Sequence, residues 1–158
     1  MVGVLAAVAL LLFGVSAEAQ LAKSGTYTSH FGWTGSGKLF EIEKDHQFFV
    51  GEFSGTNFND AGRGFLHLTS WVCPGANDIV KGTYNAHGYC TYTDGDGDKV
   101  FAVWKCGGPV PRCTGNTQLT GGTGKYAGIT GNSTFDGGFT GTTFQQGYSV
   151  VRGDWQLP

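Results

Sequence analysis

The side chains able to act as acid, base or hydrogen-bond anchor are sparse in this chain, and none falls into a catalytic spacing. His30, His46, His67 and His87 share no short interval of the kind that metal or acid–base motifs use. His67 and His87 stand out because each alternates with aromatics or threonines along a predicted strand. Phe65, Thr69 and Trp71 flank the first, and Tyr89 and Thr91 flank the second. If those faces turn inward, a His–Tyr–Thr cluster would hold the polar end of a ligand while Phe65 and Trp71 supply apolar wall. Glu52 and Tyr92 are expected as a buried acid and hydroxyl of the same kind. The competing reading makes each histidine a half-exposed strand residue with no ligand.

Asp94, Asp96 and Asp98 suggest a calcium loop. Read as an EF-hand from Asp94, the sixth position is Lys99 where Gly is required, and the twelfth is Lys105 where Glu is required. A hairpin turn built on Asp-Gly dipeptides explains the run without a metal. No cofactor is implied, and a cation at these three aspartates would be adventitious.

Thr120-Gly-Gly-Thr-Gly-Lys-Tyr-Ala-Gly-Ile-Thr-Gly131 is the most distinctive stretch. Gly122 to Ala127 matches a loose dinucleotide fingerprint, but Gly128, Thr130 and Gly131 follow where a helix is needed. Leu119 and Tyr126 exclude a P-loop, and Gly131 to Phe135 misses the nucleophile elbow by one residue. Glycine reaches positive φ without steric cost, so the run marks a tight backbone path. Tyr126 and Ile129 are expected to plug the end of a β-core.

Residues 2–15 form an unbroken apolar run, followed by Ala17 and Ala19 in an A-x-A cleavage pattern. The segment reads as a signal peptide over residues 1–19, too short for a span of roughly 20 residues. Its n-region has no Lys or Arg. A single domain over residues 20–158 then follows, and the expected location is secreted or periplasmic. Removing Glu18 with the signal moves the formal charge from −2 to −1, with no basic cluster for nucleic acid and no basic amphipathic helix for a membrane surface. Four cysteines in an exported chain read as two disulfides, with three connectivities open. Cys106 and Cys113 flank a short excursion whose ends must return together, which pairs them and leaves Cys73 with Cys90.

From Gly25 onward the text is strand, turn, strand. Strands are expected over Gly25–Trp33, Leu39–Glu43, Phe48–Phe53 and Gly64–Val72, with Gly35-Ser-Gly37 as a break, Gly55–Arg63 as a loop and Cys73-Pro-Gly75 as a stop. Asp78–Tyr84 and Ala86–Thr93 form a hairpin turning at Asn85. Val100–Trp104, Gly115–Thr120, Ser133–Phe135, Phe139–Phe144 and Tyr148–Trp155 follow. Eight or nine strands, dense glycine and 14% aromatics favour a small closed antiparallel β-barrel, an all-β fold.

Gly88-Tyr-Cys-Thr-Tyr-Thr-Asp-Gly-Asp-Gly-Asp-Lys-Val-Phe101 and Leu119-Thr-Gly-Gly-Thr-Gly-Lys-Tyr-Ala-Gly-Ile-Thr-Gly131 resemble the bacterial branch of the allene oxide cyclase barrel-like proteins, relatives of plant allene oxide cyclases and dirigent proteins. The resemblance spans roughly Phe48 to Trp155 and implies an eight-stranded barrel with an apolar interior, trimeric in the plant relatives. No catalytic motif of theirs matches here residue by residue. Asn132-Ser-Thr134 is a glycosylation sequon, read as a surface turn because the resemblance is bacterial. The leading function is a barrel that binds a small apolar molecule. The alternatives are a filled structural scaffold and a cofactor-free isomerase or cyclase.

Overall fold

The computed structural model describes residues 21–140 and 145–158. The expected signal segment and the end of the expected 139–144 strand lie outside the described residues. Eight strands run up and down in chain order: β1 (Ser24–Glu43), β2 (His46–Asn59), β3 (Ser70–Val80), β4 (Thr83–Thr93), β5 (Lys99–Pro109), β6 (Arg112–Gly122), β7 (Gly131–Phe139) and β8 (Gln146–Gln156). All pairings are antiparallel, and β8 returns to β1 from Ser24↔Gln156 to Thr34↔Gln146, closing the barrel. Among the described residues the one helical piece is a 3-10 turn, Gly124–Tyr126.

Period-2 alternation does the sorting. On β4, Tyr84, Ala86, Cys90 and Tyr92 are buried while Asn85, His87 and Tyr89 are exposed. The barrel is corked at the end where β1 starts. Phe65 and Leu66 from the β2–β3 connection, and Tyr126 and Ile129 from the β6–β7 connection, are buried there with Tyr27 and Trp155. Phe65 stacks on Trp155 at 4.9 Å between centroids and meets Tyr27 edge-on at 5.1 Å. The glycine stretch therefore builds a plug, as Tyr126 and Ile129 suggested.

Several boundaries differ from the sequence reading. Residues 64–69 are a turn, and β3 begins at Ser70. Gly64, Leu66 and Leu68 take φ of 84°, 55° and 57°, held by Asn57 Nδ2 donating to Leu66 O (2.7 Å) and Asn59 Nδ2 donating to Phe65 O (3.0 Å). Pro74 and Gly75 do not stop the strand, which runs on to Val80. The β3–β4 hairpin turns at Lys81 and Gly82 (φ 49° and 74°), not at Asn85, because a two-residue turn of this hand needs positive φ at both positions. Gly35 to Gly37 do not break β1. Gly37 faces Gly51 so closely that a Cβ on Gly37 would lie 2.7 Å from Gly51 Cα, and the glycines let the two backbones approach. The Gly55–Arg63 loop is strand as far as Asn59. Residues 107–113 form the β5–β6 hairpin, which contains the cis Val110–Pro111 bond. Asn132 to Thr134 sit in strand β7, not in a turn.

Candidate functional site

Above the cork the barrel keeps a cavity of about 110 Å³. Phe31, Trp33, Phe53, Trp71, Tyr92 and Trp104 supply most of its wall. These side chains come from inward positions of β1 to β5, so strand alternation alone assembles them. Their rings meet largely edge-on: Phe31 to Trp71 at 5.4 Å and Trp33 to Phe53 and Phe139, each at 5.2 Å. Space for rings this large comes from glycine on the neighbouring strands. A Cβ on Gly75 would lie 2.5 Å from Trp104 Cζ2, and one on Gly88 would lie 2.7 Å from Trp104 Nε1.

The wall is polar at a few points. Asn77 Oδ1 and the indole Nε1 of Trp71 and Trp104 are buried with no hydrogen-bond partner. Unpaired buried polar atoms are rare and costly, so an acceptor and two donors among the lining residues mark a place where a ligand could satisfy them. Burial, and then the nearby Tyr27, push the Tyr92 hydroxyl well above the usual phenol range. Burial does the same to Tyr84. Both stay protonated at ordinary pH and can donate, but neither is a base. No Asp, Glu, Lys, Arg or His is among the described lining residues.

Of the residues singled out by sequence, Trp71 and Tyr92 line the cavity. Phe65 belongs to the cork. His67 is half-buried in the same connection, with Nδ1 buried and unpartnered, outside the cavity wall. His87, Tyr89 and Glu52 are exposed on the outer side of β4 and β2. The structure therefore does not bring His67 and His87 together. Asn77 and Trp104 went unnoticed, although inward parity on β3 and β5 would have found both.

Both disulfides form as expected, Cys73–Cys90 across β3 and β4 and Cys106–Cys113 across β5 and β6, and no cysteine is free. All four cysteines line the cavity. The Asp94–Asp98 turn instead grips the cork. Lys125 Nζ lies 2.7 Å from Asp94 Oδ2 and 2.5 Å from Asp96 Oδ2, and the Lys125 amide donates to Asp98 Oδ2 at 3.0 Å. Burial pushes the Asp94 carboxyl up, but the Lys125 ammonium and the Asp96 amide outweigh it and hold the group below the usual carboxylate range.

No protein-family model matches the chain, and no curated protein matches it. Among solved structures it is similar to the pterocarpan synthase dirigent protein GePTS1, at 12% identity and a TM-score of 0.52, over 86% of this chain and 91% of that one. At that identity the likeness carries the architecture alone: this chain has the eight-stranded barrel fold of a dirigent protein.

Proposed function

We propose that the barrel is a binding module for a small, flat, largely apolar molecule carrying one hydroxyl, held above the cork. The supporting observation is the aromatic cavity of about 110 Å³ with unpartnered Asn77 Oδ1 and Trp Nε1 atoms among its lining residues. A cavity of about 150 Å³ takes up benzene, whereas drug-sized ligands need roughly 300 Å³ or more, so one small ring is the upper limit for this cavity. A hydroxyl donates to Asn77 Oδ1 and accepts from an indole N–H, which a hydrocarbon cannot do. The lack of a titratable base in the described wall favours holding over acid–base turnover. The two disulfides favour an oxidising, extracytoplasmic setting.

Calorimetric titration with p-cresol and toluene tests this. The expected result is saturable p-cresol binding, about tenfold weaker binding of toluene, and loss of both in Ala86→Leu, which fills the cavity from β4. Asn77→Leu should erase the preference for p-cresol. Saturable binding by neither probe to the parent protein, or binding unchanged in a folded Ala86→Leu, overturns the reading.

A further inference from the structure

The outer wall of the barrel carries a second surface that takes no part in the cavity. Strand register aligns two rows of side chains across β4 to β8. In the first row His87, Lys105, Asn116, Thr134 and Arg152 are successive cross-strand neighbours. In the second, Tyr89, Val103, Gln118 and Asn132 stand in the same relation, and Asp154 ends the row, one residue along β8 from the Ser133↔Gly153 pair. Both rows line one groove of about 760 Å³. At about 4.8 Å per strand step the groove runs for about 19 Å. All of these side chains are exposed except the half-buried Val103. Among the described residues, none of their polar groups is hydrogen-bonded or ion-paired to another side chain, so their bonding capacity points outward.

The chemistry of the two rows is specific. The amides of Asn116, Gln118 and Asn132 each donate and accept, as does the Thr134 hydroxyl, which matches an array of sugar hydroxyls. Tyr89, 67% exposed at one end, offers a flat apolar shelf. The first row holds Lys105 and Arg152, about 14 Å apart across three strand steps, and no carboxylate. This is a locally cationic strip on a chain of formal charge −2. We propose that this groove binds an acidic linear polysaccharide, a uronate chain lying across β4 to β8, with its carboxylates on Lys105 and Arg152 and one ring on Tyr89. A single-stranded nucleic acid suits the strip less well, because it needs a cation near most phosphates and a stacking platform for successive bases. The face offers two cations, one carboxylate at Asp154 at its edge, and one aromatic.

The test is calorimetric titration of the disulfide-intact protein with tetragalacturonate, its fully methyl-esterified form and an oligothymidylate of similar length. Saturable binding of tetragalacturonate is expected, with affinity about tenfold lower for the methyl ester and at least tenfold lower in Lys105→Gln/Arg152→Gln. Tyr89→Ala should weaken it severalfold, and high salt should weaken it further. These positions face outward, so thermal unfolding of the variants should match the parent. The methyl-ester comparison needs no variant and stands if one misfolds. No saturable tetragalacturonate binding, equal affinity for the ester, an unchanged constant in the folded double variant, or tighter oligothymidylate binding overturns the proposal. Since the cavity lies on the opposite side of the same strands, p-cresol binding is expected to be unaffected by every one of these variants.

Discussion

Gly88 and Gly32 both lie within barrel strands, yet a methyl group added to each meets opposite surroundings. At Gly88 it would press most closely on Pro74 O, then on Trp104 Nε1 (2.7 Å) and Gly75 Cα (2.8 Å), whereas at Gly32 nothing lies within 4 Å. Only the first glycine makes room for a tryptophan, and only it should resist substitution. Gly88→Ala is expected to cost about 1–3 kcal/mol or more through forced displacement of the β3 backbone at Pro74 and of the Trp104 ring. Gly32→Ala should be neutral or stabilising by up to about 1 kcal/mol, because it restricts the unfolded chain. Denaturant unfolding of the two variants side by side makes the comparison. Equal losses would mean that the tryptophan has no need of the glycine beneath it.

At the scale of elements, the outline of the strands was legible because each buries alternate residues. The connection after β2 was not legible. Residues 64–69 read as a strand because apolar side chains fall on both parities, but the cork buries the consecutive Phe65 and Leu66 while Leu68 stays exposed. What turns the backbone there is the pair of amides from Asn57 and Asn59, and local periodicity carries no trace of a partner on another element. The histidines failed as site candidates for a related reason. His67 shared the misread segment, and His87 has outward parity, which the residues of β4 fix only once Tyr84 and Tyr92 are known to be inside. The Asp94–Asp98 turn shows what the second connection requires. Its carboxylates converge on Lys125, so Lys125→Met leaves the largely buried Asp94 carboxylate without its cation. A loss of about 1–2 kcal/mol is expected, seen as a lower melting temperature. The folded-state pKa of Asp94 is depressed, so its contribution is present above the unfolded carboxylate value and disappears as pH falls through the folded one. The gap between parent and variant should therefore close on acidification. A gap that persists when Asp94 is protonated would place the effect in packing rather than charge.

For the whole molecule, the ring has no intrinsic first strand. The Leu157 amide donates to Lys23 O at 2.7 Å and Ser24 pairs with Gln156, so the two ends of the described chain run alongside each other. A permutant joining Pro158 to Leu21 through a short Gly/Ser linker, with new ends at Lys81 and Gly82, is expected to fold with a melting temperature within several degrees of the parent. Loss of the far-ultraviolet strand signal in that permutant would show that β3 and β4 must be joined for closure. The same ring gives the disulfides a role apart from their weight in stability. The wall is one strand thick, so a slip of one residue between neighbours would exchange the aromatic lining for the polar outer rows. Cys73–Cys90 spans the facing positions between Val72↔Thr91 and Gly75↔Gly88, and Cys106–Cys113 ties the next hairpin but one. Each bond acts as a pin through two layers of cloth: it prevents sliding without adding thickness. Formation of these two covalent links during biogenesis would thus decide which chemistry faces the lumen and which faces the surroundings, before any ligand meets either side.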